Sequence, residues 1–337
     1  MQIGKLPHNI LSSLLSRIPR GDRRVLVWPG IGIDAAVIDM GDTVLVAKTD
    51  PITFASDRIG WYAVHINAND VAACGADPRW FMASVLLPES ARPELAEQVF
   101  AQIVEACGSL GAVLVGGHTE ITYGIDRPIV IGCMLGEAEK GRFVTAAGAR
   151  PGDVLLLAGT VGVEGTAVLA REAHELLLRR GISPSVIQRA AGYLDDPGIS
   201  VVRQARIARD SAPVHAMHDP TEGGLATALH ELAQASGVGL KVWEDKVPIL
   251  PECAEICTAL GIDPLGLLAS GSLIIALSPA DAERAVSALA TAGFPAQAIG
   301  ECADPCQGLI LERSRRTCPL PQFARDELAR VFDEMLG

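Results

Sequence analysis

The chain has 337 residues, of which 40 are acidic and 28 are Lys or Arg, giving a formal net charge of −12. This balance argues against a surface for nucleic acid or for an anionic membrane, because phosphate groups are bound by clustered Lys and Arg. The length favours two domains rather than one. Hydrophobic residues make up 49% of the chain and aromatic residues only 4%, which predicts a core of aliphatic side chains.

Two features of the sequence indicate the compartment. The first residues lack the apolar segment of a signal peptide, and the longest stretch without charge, residues 264–280, is too short to cross a bilayer. That stretch also contains Pro, Gly and Ser, which is typical of a buried strand with flanking turns. We therefore expect a cytoplasmic protein without a membrane or nucleic-acid partner.

Eight cysteines do not predict a secreted disulfide framework in a chain of this size. Cys253 and Cys257 have the same spacing as Cys302 and Cys306, and four thiolates are able to hold zinc. One of these pairs falls inside a predicted helix, however, rather than in the turns that structural zinc sites use. The zinc interpretation is therefore the weaker one, and the sequence assigns no role to the two pairs or to Cys318.

Strand and helix patterns alternate over the first 140 residues. Gly41-Asp42 lies between two strand patterns and predicts a hairpin turn. In chain order, the predicted elements are helix 6–17, strands 25–27, 35–39 and 43–48, helix 59–74, strand 80–87, helix 93–109, and strands 112–115 and 129–135. A following stretch of small and turn-forming residues, 141–153, predicts a boundary between a domain at 1–140 and a domain at 141–337.

The second half repeats this alternation without a sequence repeat between the halves. In chain order, the predicted elements are strand 154–158, helices 163–180 and 198–209, strand 213–217, helix 222–236, strand 238–243, helix 251–259, strand 272–277, helix 280–292, strands 296–300 and 308–311, and helix 321–336. Alternating helices and strands of this kind predict an α/β or α+β layered fold.

The predicted helix 59–74 carries polar residues next to its apolar stripe. Gly75 and Pro78 mark its end. Asn67 and Asp70 fall on one face, three residues apart, and both residue types are poor helix formers. Their place beside the apolar stripe is explained either by bonds to a nearby loop or by a functional site. This stretch alone leaves both explanations open.

Further acids follow glycines or predicted strand ends, where α/β sheets build ligand sites. The five positions are Asp34 after a glycine loop, Asp50 at a strand end, Asp70 on the helix, Glu120 after strand 112–115, and Asp219 after strand 213–217. Each alone is more often a turn or a helix cap, but five in one chain favour a site. Carboxylates without Cys or clustered His suit Mg²⁺, and converging carboxylates repel one another unless a cation lies among them. A metal–nucleotide site explains the pattern most simply.

Phosphate-binding loops give a weaker signal in this chain. No Gly-x4-Gly-Lys-Ser/Thr loop occurs. The turn 159–165, with glycines at its two ends and at Gly162, follows a predicted strand and opens a helix, as phosphate-binding turns do. Close packing of the helix on the strand explains the same glycines equally well.

Five short motifs follow one another along the chain. They are Gly30-Ile-Gly32-Ile-Asp34-Ala-Ala, Thr49-Asp50, Asn67-Ala-Asn69-Asp70-Val-Ala-Ala-Cys-Gly75, Gly116-Gly117-His118-Thr119-Glu120, and Asp219-Pro-Thr221-Glu222-Gly-Gly224. In this order, and with further matches up to about residue 275, they resemble the superfamily of aminoimidazole ribonucleotide (AIR) synthetase. That superfamily also includes thiamine-monophosphate kinase, selenophosphate synthetase and the hydrogenase expression/formation protein E.

The resemblance implies an AIR synthetase-like two-domain fold, with an N-terminal mixed-sheet domain that pairs with a second subunit in a homodimer and a C-terminal α/β domain. It also implies ATP and Mg²⁺ as cofactors, bound in the N-terminal domain. The implied roles are metal ligands for Asp34, Asp50 and Asp70; nucleotide binding for Gly30, Gly32, Asn67, Gly117, Thr119 and Thr221; and catalysis for Asp70, Asp219 and Glu120. Gly30 and Gly32 would lie in a mobile loop over the nucleotide.

The shared chemistry of the superfamily is phosphoryl transfer from ATP, and in the synthetase and hydrogenase members the acceptor is an amide-type oxygen. Asp219-Pro-Thr221 and the segment 244–248 point to the hydrogenase-maturation branch. That branch ends in a tail with a C-terminal cysteine, whereas this chain ends in Glu334-Met-Leu-Gly337. We therefore expect an amide acceptor on a small molecule or on a protein, and the sequence does not identify it. His118 stands where relatives often have Asp or Glu, which leaves its role open.

Three other functions fit parts of the pattern. A nucleotide-binding partner or regulator would keep the fold and lose turnover. A small-molecule kinase of the same superfamily would use the same cofactors. A metallophosphatase would use Asp34, Asp50, His65, His118 and Asp219, but the His-x-Asp spacings usual in such enzymes do not occur.

Overall fold

The computed structural model describes residues 6–53, 57–314 and 316–336. Within them the chain divides into two compact units. The N-terminal unit consists of Arg20–Pro29 and Asp34–Phe143. The C-terminal unit consists of Gly30–Ile33, the described residues up to Pro19 and those from Val144 onward. Each unit is built on one mixed sheet, which confirms the expected α/β (α+β) class with two mixed-sheet domains.

The N-terminal unit follows helix α1 (His8–Leu15), which belongs to the C-terminal unit. Its elements are β1 (Val25–Val27), β2 (Ala36–Asp39), β3 (Thr43–Ile52), α2 (Ile59–Ala73), β4 (Asp77–Pro88), α3 (Pro93–Leu110), β5 (Val113–Thr122) and β6 (Ile129–Glu139). The strand order is β1-β2-β3-β6-β4-β5, in which β4 and β5 are parallel and the other neighbours are antiparallel. Helix α2 packs on β3, β4 and β6 and against α3.

The C-terminal unit continues with helices and strands on a second sheet. Its elements are β7 (Val154–Ala158), α4 (Val163–Glu172), α5 (His174–Arg179), α6 (Pro184–Ala191), α7 (Val202–Ser211), β8 (Val214–His218), α8 (Gly224–Ser236), β9 (Gly239–Trp243), α9 (Pro251–Leu260), β10 (Leu273–Leu277), α10 (Pro279–Thr291), β11 (Ala296–Ala303), β12 (Leu309–Arg313), β13 (Arg316–Pro319) and α11 (Glu327–Leu336). The strand order is β13-β12-β9-β11-β7-β10-β8. One apolar cluster lies between α8 and the sheet, and a second joins α4, α5, α6, α9 and α11.

Most predicted elements are present, with ends shifted by no more than four residues. The predicted hairpin turn is confirmed: Gly41, at φ +105°, connects β2 to β3, and the Met40 N–H donates to Thr43 O at 3.0 Å. Among the described residues, none of the helices combines the length and the apolarity that spanning a bilayer requires.

β5 departs furthest from the prediction. It was expected to end at Val115, with residues 116–120 beyond the strand, but it continues to Thr122, so the predicted strand end is wrong. The strand itself requires a glycine at position 117. A Cβ at Gly117 would lie 2.1 Å from the Ala83 carbonyl oxygen of β4.

The C-terminal unit departs from the prediction at its helices and at its last strand. The predicted helix 163–180 is interrupted at Ala173, which separates α4 from α5. Helix α6 was not predicted, although Ser183 caps it by accepting the Val186 N–H and Pro184 takes its first position. The last helix begins at Glu327 rather than at residue 321, and β13 was not predicted.

Candidate functional site

Helix α2 carries polar residues through the interior of the N-terminal unit. Every residue of the helix except Trp61 is buried. The helix ends where the Gly75 N–H donates to Ala72 O and the Ala76 N–H donates to Val71 O, with Gly75 at φ +72°. A helix covered on nearly every side is expected to be apolar all round, so its buried amides and carboxylate require a specific explanation.

Asp70 of α2 lies beside two charged residues of β3. Its Oδ1 is 3.3 Å from Lys48 Nζ, and the same amine is 3.6 Å from Asp50 Oδ2. Burial raises the pKa of Asp70 to about 7, the Lys48 ammonium opposes that rise, and the charges of Asp34 and Asp50 add to it. The structure therefore brings together three of the predicted acids and one amine.

The chemical type of these side chains suits a divalent cation. Asp70 Oδ2 is buried and makes no hydrogen bond to a described residue. Lys48 balances only one of the three carboxylates, and carboxylate oxygens are the ligands that Mg²⁺ prefers in proteins. Asp34, Asp50 and Asp70 are the residues that would hold the ion, and its charge would offset the repulsion that adds to the effect of burial on the pKa of Asp70.

Asn67 fixes the strand that carries Asp50. Its Nδ2 donates to the Ala63 carbonyl oxygen of its own helix at 2.8 Å and to the Asp50 carbonyl oxygen of β3 at 3.2 Å. The side chain fits against Gly132 of β6, where a Cβ would lie 2.3 Å from Asn67 Nδ2. Thr49 reaches the same place, because its hydroxyl donates to Gly132 O at 2.8 Å. The amide thus sets the distance between α2 and β3.

Lys48 is a residue of this group that sequence reasoning missed. It stood in the sequence beside Thr49-Asp50, two positions before the predicted metal ligand Asp50. Residues two apart in a strand point to the same face, so this spacing was the available signal. Lysine is also rare in this chain, which has only five.

β5, at the edge of the sheet, carries three residues with predicted roles. They are Gly117 and Thr119, which were predicted to bind the nucleotide, and Glu120, which was predicted to be catalytic. All three are exposed, and Glu120 Oε2 is 3.1 Å from His118 Nε2. β6 and β4 separate β5 from β3, which places the backbones of β5 and β3 about 14 Å apart at the usual strand spacing. Within the unit, the structure does not bring these residues to the Asp70 group.

The histidines of the phosphatase interpretation also lie elsewhere. His65 is buried on α2 and packs on Trp61, with 4.3 Å between ring centroids. Burial, with a smaller contribution from the Arg58 charge, lowers the pKa of His65 to about 4, so the ring is neutral at neutral pH. His118 lies on the exposed edge strand. Neither position supports a phosphatase site.

In the C-terminal unit, Glu231 of α8 contacts two of the predicted segments. His218, the last residue of β8, places its Nε2 3.1 Å from Glu231 Oε2, and Asp219 follows directly and is 2% exposed. Gly32, at φ +71°, packs on the same helix, because a Cβ there would lie 2.6 Å from Glu231 O. The loop that begins at Gly30 and the end of β8 are thus both held against α8.

Thr221 lies in the turn between β8 and α8, residues 219–224, called the Asp219 turn below. The Thr221 carbonyl oxygen accepts the Gly224 N–H at 3.0 Å and the Ala269 N–H at 3.3 Å. Asp326, just before α11, accepts the Gly223 N–H through Oδ2 at 2.7 Å. Neither Asp326 nor Glu231 was singled out from the sequence, because Asp326 reaches the turn, and Glu231 reaches His218 and Gly32, only through the tertiary fold.

Glu164 is a buried acid on the first turn of α4. Burial raises its pKa to about 7; the Ser270 hydroxyl opposes this rise, and the charges of Asp326 and Glu222 add to it. Its Oε2 makes no hydrogen bond to a described residue. The sequence did not indicate this raised pKa, which results from burial in the folded chain.

The glycine-rich turn 159–165 has the geometry of a packing turn. The Gly159 N–H donates to Pro295 O, the Val161 N–H to Pro248 O, and the Gly165 N–H to Leu268 O. These amides are therefore occupied by backbone carbonyl groups of the same unit. Of the two interpretations that the sequence left open, close packing accounts for the turn.

The cysteine pairs lie in different apolar clusters. Cys253 and Cys257 are buried in the cluster around α9, with their sulfur atoms 3.9 Å apart, whereas Cys302 is buried in the cluster around α8 and Cys306 is exposed. Cys318 donates to Leu311 O at 3.4 Å across the β12–β13 pair. This separation agrees with the weaker standing of the zinc interpretation.

Comparison with known families matches most of the chain. Residues 32–138 match the family "AIR synthase related protein, N-terminal domain", and residues 150–308 match "AIR synthase related protein, C-terminal domain". The two matched segments lie on either side of the division between Phe143 and Val144.

Three similar proteins illustrate this membership. A protein of Methanocaldococcus jannaschii named for hydrogenase expression and formation is 31% identical over 308 residues, which cover 87% of this chain and 88% of that protein. Carbamoyl dehydratase HypE of Cupriavidus necator is 32% identical over 301 residues, covering 86% and 82%. The crystal structure of a hydrogenase maturation protein HypE in complex with ATP superposes with a TM-score of 0.71 at 26% identity, covering 93% of this chain and 91% of that one. The chain therefore belongs to the AIR synthase related protein family, among relatives named for hydrogenase expression and formation.

Proposed function

We propose that this protein is an ATP- and Mg²⁺-dependent enzyme that transfers a phosphoryl group to an amide-type oxygen of a small molecule or of a protein. The observation that carries the proposal is the group at Asp70. The carboxylates of Asp50 and Asp70 lie beside the Lys48 amine, the charge of Asp34 acts on Asp70, and the buried Asp70 Oδ2 makes no hydrogen bond to a described residue. Similarity to a relative that binds ATP and to a carbamoyl dehydratase supports it.

Each residue of the N-terminal unit has a proposed task. Asp34, Asp50 and Asp70 hold Mg²⁺, which when bound neutralises the charge that develops on the transferring phosphoryl group. Lys48 supplies a second positive charge on the same strand face as Asp50. Asn67 fixes the Asp50 backbone, so that the ligands are in place before the nucleotide binds. We assign these tasks to an N-terminal domain of residues 1–140.

Residues of the C-terminal unit have proposed tasks as well. Asp219 and Thr221 are proposed to contact the nucleotide or the acceptor from the Asp219 turn, Asp219 as a catalytic residue. Gly30 and Gly32 are proposed to form the loop that covers the nucleotide. The acceptor amide is proposed to belong to a small molecule or to another protein. The proposal includes a cytoplasmic location, where ATP is available.

A titration tests nucleotide binding directly. Isothermal calorimetry with a non-hydrolysable ATP analogue should show binding by the wild-type protein in the presence of Mg²⁺, and Asp50→Asn or Asp70→Asn should abolish it. Asp42→Asn is the matched control, because Asp42 lies exposed in the hairpin turn of the same unit. If neither ATP nor ADP binds to the wild-type protein with Mg²⁺, the proposal fails.

Turnover separates the enzyme from its alternatives. ADP release in the presence of carboxamides or thiocarboxamides would support the proposed enzyme. Binding of ATP without ADP release for any acceptor would favour a nucleotide-binding regulator, and ADP release with a phosphorylated small molecule would favour a kinase. Hydrolysis of a simple phosphoester without ATP would favour a phosphatase.

We also propose a homodimer formed through β5. This strand ends the sheet, so one of its edges has no hydrogen-bonded neighbour within the described chain, and exposed edges of this kind are usually covered or paired. Its exposed apolar side chains continue onto α3, and the patch consists of Phe100, Val104, Val113, Val115, Ile121 and Tyr123. In this arrangement Gly117, Thr119 and Glu120 contribute to nucleotide binding or catalysis from the subunit interface.

A further inference from the structure

Asp326 both caps the last helix and accepts a hydrogen bond from the Asp219 turn. Its Oδ1 accepts the Leu328 N–H at 2.7 Å, which is an ordinary N-cap interaction for α11. The same oxygen accepts the Leu268 N–H at 3.3 Å, and Oδ2 accepts the Gly223 N–H at 2.7 Å. A cap alone needs only the first of these bonds. The other two join the start of α11 to two segments that are distant in sequence.

The Asp219 turn also packs closely against backbone of the 265–267 segment. Gly223 and Gly224 have φ values of +79° and +66°, a conformation that favours glycine. A Cβ at Gly224 would lie 2.4 Å from Leu265 O, so residue 224 lies tightly against the 265–267 segment. The Gly223 N–H donates instead to the Asp326 carboxylate. Asp326 therefore adds a side-chain contact to the backbone packing of the turn.

We propose that Asp326 is a positioning residue that holds Asp219 and Thr221 in place by accepting the Gly223 N–H, so that the docking of the last helix sets the geometry of the turn. The inference rests on the proposed function, because that function assigns Asp219 and Thr221 to the nucleotide or acceptor. Charge-assisted hydrogen bonds from backbone N–H groups to a carboxylate are among the stronger ones in proteins. Burial raises the pKa of Asp326 to about 6, so the carboxylate form predominates above that pH.

The last helix is firmly attached, so it is able to transmit this constraint. Leu328 and Val331 of α11 are buried in the cluster that also contains α4, α6 and α9. Arg325 donates to Asp333 at 2.7 Å and to Ala329 O at 2.7 Å, which braces the first turns of the helix. Helix α11 is thus held in place by contacts within its own chain.

Asp326→Asn separates the two roles of the carboxylate. Asn is itself a favoured N-cap residue and keeps one carbonyl oxygen for the Leu328 N–H, whereas its amide nitrogen is unable to accept the Gly223 N–H. Ser183→Ala is the matched control, because it removes a cap from α6 of the same unit without touching the turn.

Two measurements on the full-length protein decide the inference. Hydrogen–deuterium exchange of the peptide that covers residues 219–224 should be faster in Asp326→Asn by about tenfold, and kcat for Mg-ATP turnover should fall by about tenfold or more while KM for ATP changes little. Ser183→Ala should leave both unchanged. Wild-type exchange in Asp326→Asn, or equal acceleration in Ser183→Ala, would overturn the inference.

The exchange measurement is independent of the proposed function. If the wild-type protein binds and turns over no Mg-ATP, the proposed function fails while the exchange rates still show whether Asp326 orders the turn. If turnover is present and Asp326→Asn exchanges faster with an unchanged kcat, the proposed function stands and the positioning role is refuted.

Discussion

Lys48 Nζ lies 3.3 Å from Asp70 Oδ1 in the interior of the N-terminal unit, with Asp50 on the other side of the amine at 3.6 Å. The Lys48 side chain is 20% exposed and that of Asp70 only 8%. An ammonium group in this position lowers the electrostatic cost of three neighbouring carboxylates, as a bound metal ion would also do.

Lys48→Met should therefore destabilise the protein and increase its response to Mg²⁺. Removing the amine leaves Asp70 without its counter-charge, which should lower the free energy of unfolding at pH 8 by about 1–3 kcal/mol. Adding Mg²⁺ should restore more stability to Lys48→Met than to the wild-type protein, as measured by urea denaturation with and without the ion. Lys140→Met is the control, because Lys140 pairs with Asp39 at the surface and such pairs contribute little. Equal losses in the two variants, or no extra effect of Mg²⁺, would contradict the prediction.

Replacing glycine by alanine should have opposite effects on stability at two positions of the N-terminal unit. In Gly132→Ala the new Cβ would lie 2.3 Å from Asn67 Nδ2 and 3.0 Å from Ala63 O, which should cost about 1–3 kcal/mol and weaken ATP-analogue binding. In Gly108→Ala, on the exposed side of α3, nothing lies within 4 Å, and alanine should stabilise the helix by about 0.5–1 kcal/mol. Thermal denaturation and calorimetry check both. Unchanged binding in a destabilised Gly132→Ala would show that Asn67 is not needed there.

Stability should fall as the pH rises through neutrality, and Glu164 should account for part of that fall. Burial raises the pKa of Glu164 to about 7 from an ordinary value of 4.5. Because the folded-state pKa is the higher one, the stabilising contribution is complete below about pH 4.5 and is lost as the pH rises through 7, by up to about 3 kcal/mol. Urea denaturation between pH 5 and 8 should show a smaller fall for Glu164→Gln than for the wild-type protein. Glu172→Gln, exposed on the same helix, should keep the wild-type slope; an identical slope in Glu164→Gln would refute the assignment.

A charge on the β5 edge should dissociate the proposed homodimer. Ile121 is 63% exposed in the apolar patch, and Ile121→Asp places a carboxylate where a second copy would pair. Sedimentation velocity at micromolar concentration should show a dimer for the wild-type protein and a monomer for the variant. Met40→Asp is the control, since Met40 is 57% exposed on the hairpin turn of the same unit and should leave the dimer intact. A monomeric wild-type protein would argue against this interface.

Helix α2 and the acids around it were predictable from short sequence motifs. Some of these motifs mark a helix end locally, and the others follow one another along the chain in a recognisable order. Gly75 and Pro78 marked the helix end, and Asp34, Asp50 and Asp70 each followed a recognisable motif. Their convergence follows from the packing of α2 on β3, and no spacing in the sequence encodes it. For the same reason the sequence did not indicate Asp326, which contacts Gly223, or Glu231, which contacts His218.

β5 shows the limit of residue preferences. A pair of glycines followed by His118-Thr119-Glu120 suggested that the strand had ended, and the prediction placed its end at Val115. At Gly117 both the close approach of β4 and the φ of +152° select glycine within the strand. Where tertiary packing and turn formation require the same residue, the sequence does not distinguish them.

Helix α2 has almost no surface of its own, because every residue but Trp61 is buried. Solvent, a partner protein or a bound substrate therefore has little access from which to reshape it. The place of Asp70 relative to β3 is therefore settled when the unit folds. Efforts to change the specificity of the protein should leave α2 unchanged, because a substitution there would disturb the core.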